Sequence, residues 1–385
     1  MPQAHANPAV CSSAGPSIRH AKVATYCVCE SHESSHTRAT HAEIARRLSA
    51  LMNVDFAGAY DANCGDSRAT YLVPSDTLIG LEAAGALCIQ SETDLFGGVV
   101  PHAFVATKAI THPLITTDSV APRGWSHAFA EQVRRAVHVG YSAFSMDDAY
   151  RAGLCLLERG PLRIKSVTAR AGRGQTVISD ARTLKVALTG FNEPELSCHG
   201  VVVEENLSDV TTCSVGQIRA AGFTASYYGT QRLTADNEGN TVYGGSTLLV
   251  VLGDWDALER SHIPKRAKLA VSQARTYDGA AMMSFPGLFA SRRNYDVAQG
   301  RDAAGRWRSG VLEQSWRVGG ASGAEIAALE AFHANPELRS VRASTCEVYG
   351  GAEVPSHATM YFHGLDEQVG FLTKYALIDS HVDPR

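Results

Sequence analysis

The chain has 385 residues, of which 45% are hydrophobic and 19% are charged, and its formal net charge at pH 7 is −4. This length exceeds what one compact core accommodates and predicts two or three subdomains. The slight negative charge argues against general binding to nucleic acids or anionic membranes, which depends on an excess of Lys and Arg. No run of 18 apolar residues occurs, so we expect no transmembrane helix.

Residues 1–22 are rich in Ala, Ser, His and Pro and lack the apolar stretch of a secretory signal. We therefore expect a disordered extension there. The nine cysteines are odd in number and form no CxxC pair. This usage predicts reduced thiols and a cytoplasmic location.

The segment that follows alternates between strand and helix patterns. Strands are predicted at 23–29 and 70–76, and helices at 41–52 and 77–87. Because strands that alternate with helices form parallel sheets, we expect an N-terminal parallel α/β subdomain.

A proline-interrupted connection at 99–142 leads to a predicted helix at 145–159, for which Ser145 is a good N-cap. A short strand at 162–165, a glycine-containing loop, a helix at 180–189 and a strand at 199–207 then complete a compact unit.

The remainder of the chain is rich in strands. Two neighbouring strands are predicted at 213–222 and 225–233, then a helix from residue 265 that ends at the turn signal Asp278-Gly279. A β-hairpin with a DAAG turn is predicted over 294–318. The last helix begins at Ser322, where Ser322 and Glu325 have the spacing of a capping box.

The predicted hairpin carries the strongest chemical signal. Strand alternation places Glu313, Ser315 and Arg317 on one face, and Asn294 and Asp296 on one face of the preceding strand. If these faces coincide, two carboxylates could hold Mg²⁺ together with substrate phosphates, and the arginine could hold an anionic oxygen. The alternative is a solvated hairpin whose charges pair with one another.

Weaker signals lie elsewhere in the chain. Lys165 leaves a strand into a loop that contains Gly172 and Gly174, so it could reach nucleotide phosphates, although no Walker motif is present and an ordinary turn remains the alternative. The strand at 201–207 ends in paired glutamates. The glycines of 318–323 indicate either an anion site at a helix N-terminus or a tight turn.

The order of these pieces resembles the ATP-grasp superfamily, in particular an uncharacterised bacterial branch of it. The resemblance covers about residues 100–330 and rests on Lys108 in FVATK, Lys165, ARAGRGQ, VVVEEN, NYD, and LEQSWR. It implies an α/β (α+β) fold in which an N-terminal parallel α/β subdomain precedes two α+β subdomains that clasp ATP. The implied divisions are 23–107 for the N-terminal subdomain and 108–380 for the ATP-grasp domain, with a lid at about 142–206.

The resemblance also implies roles for individual residues. It implies that phosphates contact Lys108 and Lys165 and that the lid loop contains Gly172 and Gly174. The adenine pocket would be lined by Glu204, Glu205, Asn206 and Leu207. The ribose carboxylate is implied at Asp209, with Thr211 or Thr212 as alternatives. Mg²⁺ would be bound by Asp296, Glu313 and Ser315, the last of which replaces the usual asparagine. The transferred phosphoryl group would contact Arg317, with Arg292 and Arg293 as helpers.

The implied activity is that of a Mg²⁺-dependent ligase that uses ATP. Such an enzyme converts a small-molecule carboxylate into an acyl-phosphate, which an amine or another nucleophile then attacks. No protein nucleophile is needed, and homodimerisation is left open. The alternatives are an ATP-dependent phosphotransferase on the same scaffold and a non-catalytic, ATP-binding regulatory protein.

Overall fold

The computed structural model describes residues 20–28, 33–61, 70–167 and 174–381. No helix in these ranges is long and apolar enough to cross a membrane. The six cysteines in these ranges have free thiols. Residues 1–19 of the predicted extension lie outside the described residues, and the first strand begins at Lys22, one residue earlier than predicted.

The strands are β1 (Lys22–Tyr26), β2 (Asp55–Ala59), β3 (Thr70–Pro74), β4 (Leu78–Ile79), β5 (Gly98–Val100), β6 (Gly140–Ala143), β7 (Leu162–Ser166), β8 (Gln175–Ile178), β9 (Val201–Glu205), β10 (Ser208–Ala220), β11 (Phe223–Ala235), β12 (Thr241–Leu252), β13 (Phe289–Ala290), β14 (Arg292–Arg301), β15 (Trp307–Ser315), β16 (Ser340–Tyr349), β17 (Thr359–Asp366) and β18 (Gly370–His381). The α-helices are α1 (Ser35–Met52), α2 (Leu81–Ala86), α3 (His127–Val133), α4 (Met146–Leu157), α5 (Ala181–Leu188), α6 (Glu193–His199), α7 (Trp255–Arg260), α8 (Lys265–Ser284) and α9 (Ser322–Ala334). Short 3₁₀ helices span Ala103–Ala106 and Lys108–Thr111.

The N-terminal unit contains a parallel sheet in the order β2-β1-β3, as the alternation of strands and helices predicted. Helix α1 packs on this sheet through Ile44 and Leu48, which share a core cluster with Val23. The predicted helix at 77–87 is only partly correct. Gly80 has a φ of +91°, which interrupts the helix, and β4 instead pairs with β5 in a second small sheet.

A four-stranded antiparallel sheet in the order β6-β9-β7-β8 forms the unit that we propose as the lid. Helices α4 and α5 cover it, and Leu156, Leu184 and Val203 belong to their common core. The hydroxyl of Ser145 accepts a hydrogen bond from the backbone N–H of Asp148 at 3.2 Å, which confirms the predicted N-cap.

The largest sheet has eight antiparallel strands in the order β15-β14-β10-β11-β12-β16-β18-β17. Helix α8 covers one face, where Val271 and Ala274 pack with Val215 and Val297. Helices α9 and α1 cover part of the other face. The predicted hairpin is confirmed as β14 and β15, and the candidate site lies on the face of this sheet on which α9 packs.

Two predicted helix ends are wrong. Helix α8 continues through Asp278-Gly279 to Ser284, because Asp278 faces the sheet and binds the Tyr295 hydroxyl at 2.6 Å and the Arg293 guanidinium at 3.1 Å. The capping box at Ser322 does not form. Ala321 is the N-cap, and Glu325 is buried beneath the sheet instead of capping its own helix.

Candidate active site

The centre of the site is the pairing of β14 with β15. Asn294 lies opposite Ser315 and Asp296 lies opposite Glu313, so the two polar faces coincide. The Asn294 amide donates a hydrogen bond to Asp296 Oδ1 at 3.0 Å. Two carboxylates, an amide and a hydroxyl therefore converge on one face of the sheet.

The two carboxylates have different electrostatic surroundings. Partial burial and the negative charge of Glu313 raise the pKa of Asp296 to about 6. Burial also acts against ionisation of Glu313, but Lys108 outweighs it and lowers the pKa of Glu313 below its usual value. The two carboxylates thus repel each other, and the nearby cations favour ionisation of Glu313 over that of Asp296.

Lys108 binds this pair directly. Its ammonium nitrogen lies 2.7 Å from Glu313 Oε2. The 3₁₀ helix that Lys108 begins is fastened to β15 by Gln314, whose side-chain amide donates to the carbonyls of Val105 and Thr107 at 2.9 and 2.8 Å. Successive residues of β15 therefore bind the lysine and anchor the segment that carries it.

The second predicted lysine belongs to a buried charged cluster on the four-stranded sheet. Lys165 on β7 forms an ion pair with Glu204 on β9, and both side chains are 5% exposed. Nε2 of His112 lies 3.1 Å from the other carboxylate oxygen of Glu204. Burial disfavours the charged carboxylate, but Lys165 and His112 outweigh it and hold the pKa of Glu204 far below its usual range. Lys165 also contributes to the lowered pKa of Glu313, so both lysines act on one region.

The residues predicted to line the adenine pocket follow Glu204 at the end of β9. Glu205 accepts a hydrogen bond from the backbone N–H of Val139 at 3.2 Å, and the Asn206 side chain accepts one from Arg163 at 2.9 Å. Leu207 is buried. The polar side chains therefore fix the shape of this strand end.

The candidates for ribose binding are separated by the pleat of β10. Thr212 shares a face with Ser214, which lies opposite Asp296. Asp209 and Thr211 instead line a cavity of about 550 Å³ beside α8, together with Arg266 and other residues. Asp209 and Thr211 therefore lie away from Asp296, whereas Thr212 lies on the same face of the sheet as Asp296.

The three predicted arginines have different environments. Arg317 is partly exposed, and its guanidinium lies 3.4 Å from Asp76, just beyond β3. Arg292 is 1% exposed and ion-paired with Glu325 on α9. Arg293 points to the opposite face of β14, where it binds Asp278, so the structure does not bring it together with Asp296 and Glu313.

The predicted lid loop is only partly visible. Gly172 lies outside the described residues. Gly174 has a φ of +64°, and its carbonyl accepts a hydrogen bond from the Ser166 N–H at 3.0 Å. Glycine adopts this left-handed backbone conformation more readily than other residues do.

Several residues at the site were not identified from the sequence, among them His112, His138, Tyr227 and Glu325. Burial lowers the pKa of His138 to about 4, so this ring is uncharged beside the glutamates at neutral pH. Each of these residues contacts a partner that is distant in sequence. His112 and Glu204, for example, are 92 residues apart. No local pattern could have indicated these contacts.

Comparisons with known proteins identify the family and the fold. A family model described as "Protein of unknown function (DUF3182)" matches residues 25–376. No curated protein matches the chain significantly. Among solved structures, the chain is similar to N5-carboxyaminoimidazole synthetase from Staphylococcus aureus complexed with ADP, with 11% identity, 94% of each chain covered and a TM-score of 0.51. It is also similar to carboxyaminoimidazole ribonucleotide synthase from Aspergillus clavatus complexed with ATP, with 12% identity, 94% of each chain covered and a TM-score of 0.50.

At these identities the similarity shows the fold alone. The fold is the ATP-grasp fold, as the order of the sequence motifs predicted.

Proposed function

The chain belongs to the DUF3182 family, and from the site geometry we propose that it is a Mg²⁺-dependent ligase that uses ATP to activate a carboxylate as an acyl-phosphate. The observation that carries this proposal is the convergence of Lys108, Glu313 and Asp296 with the Lys165–Glu204 pair. Paired lysines and paired carboxylates are what a metal-bound triphosphate requires. The two similar solved structures contain ADP and ATP, which supports the same assignment.

The donor set suits the metal. Mg²⁺ takes oxygen ligands and is usually held by one or two carboxylates together with substrate phosphates. Asp296 and Glu313 supply two carboxylates on adjacent strands, and Ser315 a hydroxyl beside them. The amide that the superfamily usually has at position 315 is present across the ladder as Asn294. When bound, the ion would neutralise charge on the phosphates.

The protein side chains would act on charge and position. Lys108 must leave Glu313 to reach a phosphate oxygen, and Lys165 would neutralise a second one. The substrate carboxylate oxygen bonds to the γ-phosphorus while the bond from that phosphorus to the ADP oxygen breaks. Arg317 would hold the carboxylate or acyl-phosphate oxygens, and closure of the proposed lid would exclude water from the acyl-phosphate. An amine then forms the new bond to the acyl carbon, loses a proton, and phosphate leaves.

The test does not require the natural acceptor. Purified protein is incubated with Mg-ATP, pooled small carboxylates and hydroxylamine, which traps acyl-phosphates as hydroxamates. A ligase gives ADP, phosphate and a hydroxamate, whereas a phosphotransferase gives ADP and a stable phosphorylated product detectable by mass spectrometry. Thermal stabilisation by Mg-ATP without ADP release would support the non-catalytic alternative. Absence of any thermal shift at millimolar Mg-ATP would exclude nucleotide binding and overturn the proposal.

The raised pKa of Asp296 predicts how metal binding depends on pH. A divalent ion must displace the proton from this carboxylate once the pH falls below about 6, so affinity should fall about tenfold per pH unit below that value and level off above it. Mn²⁺ titrations followed by electron paramagnetic resonance between pH 5 and 8 measure this. A profile without an inflection near pH 6 would contradict the assignment.

The same carboxylate predicts an effect on stability without metal. The folded-state pKa lies above the unfolded value of 3.8, so the folded protein binds more protons between about pH 4 and 6. Stability should therefore decrease as the pH rises through this window and then become constant. Asp296→Asn removes this decrease, and we expect it to raise the melting temperature of the metal-free protein at pH 7 while abolishing Mn²⁺ binding. A variant less stable than wild type under these conditions would contradict the prediction.

A further inference from the structure

A buried polar network lies directly beneath the candidate metal site. Glu325 on α9 is fully buried and accepts hydrogen bonds from Arg292 Nε at 3.0 Å and Nη2 at 2.8 Å. It also accepts one from the Tyr227 hydroxyl at 2.6 Å. Burial opposes the charge on Arg292, but Glu325 outweighs it and raises the pKa of the guanidinium. The mechanism above uses none of these three side chains.

One branch of the network reaches β15. The Nη1 atom of Arg292 donates to the carbonyl of Arg317 at 2.6 Å, and it lies 3.3 Å from both the carbonyl and the hydroxyl of Ser315. Ser315 is the last residue of β15, two residues after Glu313, and Arg317 lies two residues beyond it. The guanidinium therefore fixes the backbone from which Arg317 projects.

The other branch reaches β14. The single hydrogen of the Tyr227 hydroxyl is shared between Glu325 Oε1 at 2.6 Å and the Asn294 side-chain oxygen at 2.9 Å, and the Asn294 amide donates to Asp296. Tyr227 on β11 reaches β14 by crossing the intervening strand β10 at Gly216. A Cβ at Gly216 would lie 2.4 Å from the Tyr227 oxygen, so glycine is required there. Glu325 thus contacts both metal-binding strands through separate intermediaries.

We propose that Glu325 is a positioning residue for the metal site, which it orients through Tyr227 and Asn294 to Asp296 and through Arg292 to Ser315 and Arg317. This inference rests on the proposed function. A buried ion pair makes no clear net contribution to stability, whereas an oriented partner behind a metal ligand affects metal affinity directly. The placement of α9 therefore acts on Asp296 of β14 and on the end of β15 that follows Glu313.

The test uses Tyr227→Phe, which removes one hydroxyl and keeps the ring. Tyr295→Phe is the matched control, because Tyr295 is also fully buried and its hydroxyl donates to a carboxylate, Asp278, at 2.6 Å on the opposite face of the sheet. Mn²⁺ affinity is measured by electron paramagnetic resonance in the presence of a non-hydrolysable ATP analogue, with melting temperatures recorded in parallel.

We expect Tyr227→Phe to weaken Mn²⁺ binding about tenfold, while Tyr295→Phe loses stability but keeps wild-type affinity. Affinity for the analogue without metal should be unchanged in both variants. Equal Mn²⁺ affinity in all three proteins would overturn the positioning role and leave the proposed function intact. Failure of wild type to bind Mn²⁺ and analogue together would instead overturn the proposed function. If Tyr227→Phe does not fold, Asn294→Ala breaks the same connection, and unchanged affinity in that variant decides against the inference.

Discussion

Substituting Glu313 by glutamine should reduce ADP formation by about 10²–10³-fold while ATP still binds. The substitution keeps the shape of the side chain but removes a charge that would hold the metal and that now binds Lys108. The lysines that would contact the phosphates remain, so nucleotide binding should persist. The measurements are ADP release in the hydroxylamine assay and the thermal shift with Mg-ATP.

The matched control for this variant is Glu347→Gln. Glu347 is also paired with a lysine on the large sheet, Lys374, at 2.9 Å, but it lies on β16, away from the two metal-binding strands. The Glu347→Gln variant should lose a comparable ion pair and form ADP at the wild-type rate. Full activity of Glu313→Gln would remove the metal assignment, and equal losses in both variants would point to a general charge effect.

Substituting Lys165 by methionine should destabilise the protein by about 3–5 kcal/mol, since it leaves the buried Glu204 carboxylate without its main cationic partner. It should also abolish stabilisation by Mg-ATP, which for wild type at about a hundred times Kd amounts to about 2.7 kcal/mol. Chemical denaturation with and without Mg-ATP measures both effects.

The double variant Lys165→Met with Glu204→Gln separates the two effects. Removal of the unpaired charge should restore most of the stability, but the response to Mg-ATP should stay absent because the phosphate contact is lost. Arg293→Met is the control, because it breaks a similarly buried pair with Asp278 on the α8 face of the eight-stranded sheet. This variant should keep the stabilisation by Mg-ATP. A nucleotide response retained in the double variant would exclude Lys165 from the phosphate site.

The predictions that succeeded depend on local periodicity. Alternation along a strand fixes which side chains share a face, so the sequence grouped Asn294 with Asp296 and Glu313 with Ser315, and the register of β14 with β15 then made the two faces coincide. The Ser145 N-cap is equally local, since its hydroxyl needs only the N–H three residues later. The order of the motifs was sufficient to predict the ATP-grasp fold.

The predictions that failed depend on what packs against each face. Arg292 and Arg293 are adjacent and chemically identical, yet one supports β15 and the other pairs with Asp278. The contacts of Asp278 with the sheet also accompany the continuation of α8 through a position where the sequence indicated a turn. A pattern can assign a side chain to a face, but it does not identify the element that will cover that face.

By itself, the sequence therefore determined several of the elements and their order, the fold, and the two carboxylates of the candidate hairpin. Only the tertiary structure decided which cations remain at the site and which are held elsewhere by buried carboxylates. The physical reason is that a buried charge requires a partner, and here the partners are brought together from distant parts of the chain. Tyr227 and Glu325, for example, are 98 residues apart, and their contact exists only once α9 has packed on the sheet.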